Sequence, residues 1–323
     1  MSERVLVTTT SFQDTPGQHH DLLAKEGYEL ISARGPLPED EIFALVGDVD
    51  GIICGDDAFT RKVLEKCTPR IRVLSKYGIG LDKIDLAAAT DLKIPVCCTP
   101  GVNHTTVAEH VFGLILSLIR QIPQQSGLIH EGGWKRMTGH EMWNKTMGVL
   151  GMGRIGKETS KRARAFGMKV IGYDVFWTDE TNYFAAEYGV TRAESPEEVI
   201  QAADFLSLHM NLTDENRGLI NAERLATMKP SAVIVNTARG ALVVESDVAD
   251  AIKAGKLGGY CADVYSAEPP ASDNPLIGLE NTILTPHIGS RTYESVVRQA
   301  TKAVMNLVLV MNGKEPLARG NKV

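Results

Sequence analysis

Short apolar runs recur along this chain, separated by stretches with helical spacing. In the first hundred residues the runs are Val5-Leu6-Val7-Thr8-Thr9, Glu29-Leu30-Ile31, Gly51-Ile52-Ile53, Ile71-Arg72-Val73-Leu74-Ser75 and Pro95-Val96-Cys97-Cys98. Helix-like segments such as Glu39 to Leu45 and Asp85 to Asp91 lie between them. Runs of this kind read as strands buried on both faces. Their alternation with helices predicts a parallel sheet covered on both sides.

Six further runs fill the middle of the chain, and each ends at residues able to do chemistry. Gly148-Val149-Leu150 leads into Gly151-Met152-Gly153-Arg154-Ile155-Gly156, and Lys169-Val170-Ile171-Gly172-Tyr173 ends at Asp174. Phe205-Leu206-Ser207-Leu208 ends at His209, and Ala232-Val233-Ile234-Val235-Asn236 opens onto Thr237-Ala238-Arg239-Gly240. Gly259-Tyr260-Cys261-Ala262 ends at Asp263 with Glu268 just beyond, and Thr282-Ile283-Leu284 leads to Thr285-Pro286-His287. Open α/β sheets bind ligands outside the carboxyl ends of their strands, so six such ends predict one crevice for cofactor and substrate.

The expected fold class is α/β, with two doubly wound parallel-sheet domains. A helix from Thr105 to Arg120 leads into the second. The tail from Arg291 to Met311 has apolar residues at helical spacing (Val296, Val297, Ala300, Val304, Leu307, Val308, Met311) and no strand after it. It is expected to return to the first domain. The domains expected are therefore 1–102 with 288–323, and an inserted 103–287.

At 323 residues the length suits two domains. A net charge of −6 without a basic run argues against a nucleic-acid binder. Five scattered cysteines without a C-x-x-C pair predict neither a zinc site nor a disulfide framework, and no metal is expected. The most apolar helical stretch, Val107 to Ile119, carries Glu109 and His110 and falls short of the about 20 residues a bilayer requires. With no signal-peptide core at the start, a cytoplasmic protein is expected.

Gly151-x-Gly153-x-x-Gly156 follows a strand-like run and opens a helix-like one, Lys157 to Phe166, and the next strand ends at Asp174. That context predicts a dinucleotide site: the glycines allow a tight turn and close approach to a pyrophosphate, and the helix N-terminus supplies amide donors. Asp174 would accept hydrogen bonds from the ribose hydroxyls and repel a 2′-phosphate, and Val175-Phe176-Trp177 offers no arginine to hold one. NAD is therefore expected rather than NADP. The residues expected to line it are Gly151, Gly153, Arg154, Ile155, Gly156, Asp174, His209, Met210, Thr237, Ala238, Asp263, His287 and Gly289, with Asp263 a candidate acceptor for the nicotinamide carboxamide.

Arg239, Glu268 and His287 form the candidate catalytic set. Reduction of a 2-oxoacid needs an anion receptor, a proton donor, and a group that keeps the donor charged. The Arg239 guanidinium can grip a carboxylate with its planar fork. His287 can give a proton to the developing alkoxide and accept it in the reverse direction. Glu268 nearby would favour the imidazolium and orient its ring. Prolines at 269, 270 and 286 restrict the backbone where aim matters.

These stretches closely resemble the NAD-dependent D-isomer-specific 2-hydroxyacid dehydrogenases. The likeness lies in Gly151–Gly156 with Asp174, Asn236 to Gly240, Ala262 to Pro269, and Thr285-Pro286-His287-Ile288-Gly289-Ser290. It implies a flavodoxin-like substrate domain formed by both chain ends, an inserted Rossmann domain, the Arg239, Glu268 and His287 roles above, and a homodimer built through the inserted domains. Within the family the chain is most similar to D-3-phosphoglycerate dehydrogenases. Lys76-Tyr77-Gly78-Ile79-Gly80-Leu81-Asp82 resembles their loop that binds the substrate carboxylate through backbone amides. That loop more often carries arginine at the place of Lys76 and asparagine at that of Lys83. The chain stops at Val323, so no C-terminal regulatory domain is expected.

Lys76, Tyr77, Gly78, Ile79, Arg239 and Arg291 are the candidate substrate-binding residues. Arg291 stands where the family more often has a small residue, and is expected to meet a second anionic or polar group. The favoured substrate is a small 2-oxoacid with a polar or charged C3 substituent, with 3-phosphohydroxypyruvate the best single choice. Hydroxypyruvate, glyoxylate and another polar 2-oxoacid are alternatives. A reading of another class, an NAD(H)-sensing corepressor-like scaffold, would require a peptide-binding cleft and long tails.

Overall fold

The computed structural model describes residues 2–323. The chain divides into two compact units, Met1–Asn103 with Arg291–Val323, and His104–Ser290.

The first unit holds five parallel strands: β1 (Arg4–Val7), β2 (Glu29–Ser32), β3 (Gly51–Cys54), β4 (Val73–Lys76) and β5 (Val96–Cys97), in the order β2-β1-β3-β4-β5. Both faces of the inner strands are covered, which is why they read as apolar runs, whereas Glu29, Leu30 and Ser32 of the edge strand β2 are exposed. Leu6, Ile52, Leu74 and Val96 pack with Ile42, Val63, Leu64 and Ala88 on one face. Val5, Val7, Ile53 and Val73 turn to the other, against Leu23 and the tail helix Tyr293–Met311 through Val304, Leu307 and Met311. Thr292 caps that helix by accepting from the Ser295 amide.

The second unit holds seven parallel strands: β6 (Thr146–Leu150), β7 (Lys169–Tyr173), β8 (Val190–Arg192), β9 (Phe205–Leu208), β10 (Val233–Asn236), β11 (Gly259–Ala262) and β12 (Thr282–Leu284). Their order is β12-β11-β10-β9-β6-β7-β8, doubly wound about β6. One face packs Leu206, Ile234 and Tyr260 against Val199 and Val248. The other packs Met147, Val149 and Val235 on the helix His104–Ile119 through Val111, Leu114, Ile115 and Leu118. Gly148 lets the helix Pro196–Ala202 approach, since a Cβ there would lie 2.8 Å from a Val199 methyl. β8 has no counterpart in the sequence reading: two of its three residues are exposed, so it carries no apolar run.

No helix among the described residues is long and apolar enough to cross a membrane. All five cysteines are buried and free.

Candidate active site

The carboxyl ends of the second unit's strands carry the site. After β6 the chain turns through Gly151, whose φ of 97° an L side chain rarely adopts; a Cβ there would lie 2.6 Å from the His209 backbone. The helix Arg154–Ala165 starts at once, with Arg154 and Ile155 in its first turn. A Cβ on Gly156 would overlap the Gly151 carbonyl oxygen, so the third glycine is fixed by helix–turn packing. Nothing lies within 4 Å of a Cβ placed on Gly153, which leaves open space over the helix N-terminus. Asp174 follows β7 and ties the turn down: one carboxylate oxygen accepts from the Met152 amide at 2.7 Å, the other from Phe176 at 2.8 Å. A carboxylate has about four lone-pair positions, so two remain for a ligand.

After β9, the His209 imidazole shares a 2.8 Å hydrogen bond with the Ser207 hydroxyl, and Met210 beside it is half-buried. Burial pushes the His209 pKa down to about 3, so the ring is neutral at physiological pH. After β10, the buried Asn236 amide clamps the turn, accepting from Ala238 N at 3.0 Å and donating to Arg239 O at 2.9 Å. The Thr237 hydroxyl is buried without a protein partner, an unmet hydrogen-bonding group at a strand end. The open space at Gly153, the Asp174 acceptor and the orphan Thr237 hydroxyl together fit a dinucleotide.

Gly240 closes the same turn. A Cβ there would overlap the Tyr265 carbonyl, so only glycine brings the Arg239 turn against the Tyr265-Ser266 backbone and the Glu268 loop. That loop is held by Glu245, a nearly buried carboxylate accepting from Ser266 N, Ser266 Oγ and Asn274 Nδ2, each at 2.8 Å. Glu268 Oε1 accepts from Tyr265 N at 3.0 Å, which aims the other oxygen at His287. His287 Nδ1 donates to Glu268 Oε2 at 2.7 Å, with the two side chains 41% and 30% exposed. That contact places the Nδ1 proton on the carboxylate side of the ring, with Nε2 at its opposite edge.

His287 has φ 53°, in the left-handed region. The turn is held in place from below. Asp263, 1% exposed, accepts Ile288 N at 2.8 Å, Gly289 N at 2.7 Å and the Thr285 hydroxyl at 2.6 Å. Burial alone would raise its pKa, but hydrogen bonds from His110, Thr285 and the Ile288 amide hold it below the ordinary carboxylate range. Asp263 thus differs from the free acceptor expected: it lies under the His287 turn with its oxygens already engaged.

The remaining candidates belong to the first unit. Lys76, expected to present charge to a substrate, is 3% exposed. Its ammonium donates to Gly55 O at 2.6 Å and Asp56 Oδ1 at 2.7 Å on the neighbouring strand's exit. Its side chain is drawn inward because a buried ammonium needs such partners. The Tyr77 amide donates to Cys54 O at 2.8 Å, and Gly78 N donates to Thr99 Oγ1 at 2.9 Å. The exposed Ile79 follows. Arg291 begins the tail segment and reaches Asp14 at 3.5 Å, while Arg34 holds the same carboxylate through two 2.8 Å bonds. The pattern of residues assigns no role to Asn236, Glu245, Tyr265 or His110; Glu245, the Tyr265 hydroxyl and His110 find their partners in distant segments, whereas those of Asn236 lie two and three residues on.

Residues 112–289 match the family model for the D-isomer specific 2-hydroxyacid dehydrogenase, NAD binding domain. The chain is 39% identical over 301 residues to D-3-phosphoglycerate dehydrogenase of Methanocaldococcus jannaschii, covering 92% of this chain but 56% of that one. It thus spans little more than half of that relative's length. Glyoxylate reductase of Thermofilum pendens is 36% identical, with 89% of this chain and 86% of the relative covered. Among solved structures, the TT0316 protein of Thermus thermophilus superposes with a TM-score of 0.88 at 35% identity, over 98% of this chain and 99% of that one. The apo D-lactate dehydrogenase of Escherichia coli gives 0.85 at 26% identity, with the same coverage. By sequence match and fold alike, the chain belongs to the NAD-dependent D-isomer specific 2-hydroxyacid dehydrogenases.

Proposed function

We propose that this protein interconverts a small D-2-hydroxyacid and its 2-oxoacid with NAD(H), the second unit binding the cofactor and the first contributing to substrate recognition. The observation that carries this reading is the His287–Glu268 pair at 2.7 Å, set at the strand exits beside the Arg239 turn. When bound, the cofactor supplies a hydride to C2 of the oxoacid. The Arg239 guanidinium grips the carboxylate and polarises the carbonyl. Nε2 of His287 gives the carbonyl oxygen its proton, and Glu268 stabilises the positive charge the ring holds before transfer. In oxidation the same atoms run in reverse.

Gly151, Gly153 and Gly156 leave the helix N-terminus open to the pyrophosphate, flanked by Arg154 and Ile155. Asp174 is assigned the adenosine ribose, and its charge disfavours the 2′-phosphate of NADP. His209, Met210, Thr237, Ala238 and Gly289 are assigned to the cofactor's remaining length. In the first unit, Tyr77, Gly78 and Ile79 are assigned to the substrate, and Arg291 to a second anionic group on it.

The substrate proposed first is D-3-phosphoglycerate with its 2-oxo form. The relatives bear both phosphoglycerate dehydrogenase and glyoxylate reductase names, so hydroxypyruvate and glyoxylate are the competing pair. NADH consumption over phosphohydroxypyruvate, hydroxypyruvate, glyoxylate and pyruvate tests the reading. Preference for the first by about a hundredfold supports it, turnover of the others reassigns the substrate, and none on any, with NADH still bound, points to another polar 2-oxoacid or to the NAD(H)-sensing scaffold. We also propose a homodimer through the second unit, in which Trp134 and Trp143 are 83% and 65% exposed and Ile122 and Ile129 are exposed as well. Sedimentation equilibrium at the monomer mass would overturn it.

A further inference from the structure

The His287 turn rests on a chain of donors that begins outside the catalytic set. Asp263 can only accept, so the Thr285 hydroxyl at 2.6 Å must donate to it. The Thr285 oxygen is then the acceptor for His110 Nε2 at 3.1 Å, which also lies 3.3 Å from Asp263 Oδ1. Nε2 of His110 therefore carries a proton. His110 projects from the helix His104–Ile119, the longest helix of this unit, whose apolar face is packed on the sheet through Val111, Leu114, Ile115 and Leu118. Its ring is thus fixed to a rigid element. The same Asp263 carboxylate accepts the two amides that follow His287, and a Cβ on Gly289 would lie 2.9 Å from it and 3.5 Å from the His110 ring. A second tie runs from the buried Tyr265, whose hydroxyl donates to Thr285 O at 3.0 Å and whose amide donates to Glu268.

We propose that His110 is a positioning residue for the proposed proton donor: through Thr285 and Asp263 it fixes the left-handed turn that aims His287. This rests on the dehydrogenase reading of the site. A carboxylate holding two successive amides with only apolar surroundings could rotate away from one of them. The hydroxyl and imidazole on its inner oxygen lock its plane. The effect is on alignment, and misplacement of a proton donor by about 1 Å costs about a hundredfold in rate.

The test compares His110→Leu, His110→Gln and Thr285→Val in the full chain. H110L and T285V are expected to lower kcat about 10- to 100-fold with NADH affinity unchanged. H110Q, which keeps a donor, restores most of it. The double variant is no slower than T285V alone, and H110L has no further effect in a His287→Ala background. Unchanged kcat in H110L, or an equal loss in the H287A background, overturns the proposal. If H110L does not fold, T285V and H110Q carry the same decision. The ¹⁵N imidazole signals of His287 in cofactor-free protein give a readout independent of turnover. They are expected to shift in H110L and hold in H110Q. If the wild type reduces no 2-oxoacid, the dehydrogenase reading has failed, and these signals alone decide whether His110 positions His287.

Discussion

The two units share a parallel, doubly wound plan but treat the carboxyl ends of their strands in opposite ways. In the first unit the strand-end charges are turned inward. The buried Asp57 accepts from Leu37 N at 2.8 Å, Gly55 N at 3.0 Å and the Thr8 hydroxyl. Lys76 is tied to Asp56, and Gly78 N to Thr99. In the second unit the corresponding ends are left open: space above Gly153, an orphan hydroxyl on Thr237, and a half-exposed His287–Glu268 pair. A charged residue at a strand end is therefore not by itself a ligand group. What distinguishes the second unit is that Thr237 lacks a protein partner, while Asp174, Glu268 and His287 have partners that orient them without covering them.

The largest effects should come from the open ends. His287→Ala is expected to reduce kcat/KM by about 10²–10⁴ while NADH affinity, read by fluorescence titration, stays the same. A loss below about tenfold would remove His287 as proton donor. Arg239→Ala should cost as much and raise KM, since it removes an interaction made with substrate and transition state alike.

Next in size are the glycines, which separate packing from binding. Gly156→Ala forces a Cβ onto the Gly151 carbonyl and should lower the melting temperature by several degrees. Gly153→Ala meets no protein atom and should melt like the wild type, yet weaken NADH about tenfold or more by filling the space above the helix. Equal melting temperatures for the two variants would break the distinction. Asp174→Ala should bring NADPH within reach, narrowing the NADH:NADPH ratio of kcat/KM by about tenfold or more, and an unchanged ratio would remove Asp174 from cofactor selection.

Lys76 sharpens the comparison from the other side. Lys76→Met removes an inward-facing pair, so its effect should fall on the melting temperature, with relative kcat/KM across the four 2-oxoacids kept within about threefold. A shift in that ranking would return Lys76 to the substrate site.

How much of this was readable in the sequence follows from the range of the interactions. The inner strands showed because both their faces are buried, so Val5, Leu6 and Val7 are all apolar while turning to opposite sides, and the exposed edge strand β2 showed only through Leu30 and Ile31. The edge strand Val190–Arg192, mostly exposed, left no such trace. The glycine turn was legible because its constraint is local and steric. The inward turn of Lys76 is not legible in the sequence because its partner, Asp56, follows another strand. Glu245 and His110 drew no role for the same reason: a glutamate holding Ser266, or a histidine on Thr285, has meaning only once distant segments meet.

The effect expected to touch catalysis least is a pH dependence of stability carried by His209. Burial lowers its folded pKa to about 3, against an ordinary value of about 6.5 in the unfolded chain. The unfolded state therefore takes up a proton first as pH falls, and stability declines below about pH 6.5 until the folded ring also protonates near pH 3. The slope contributed by this one group reaches at most about 1.4 kcal/mol per pH unit. Asp263 works in the same direction lower down: its lowered folded pKa gives stability that is present above the ordinary carboxylate range and lost as pH falls through the folded value. Urea midpoints between about pH 7 and about pH 4.5 separate the two, since over that interval Asp263 is ionised in the folded protein and still largely ionised in the unfolded chain. His209→Gln keeps a partner for Ser207 but does not titrate, so its midpoint should fall less steeply over this interval than that of the wild type. Parallel curves would mean that the second unit's open end hydrates His209 enough to let it protonate like an ordinary histidine, and that this part of the open end is wetter than its burial implies.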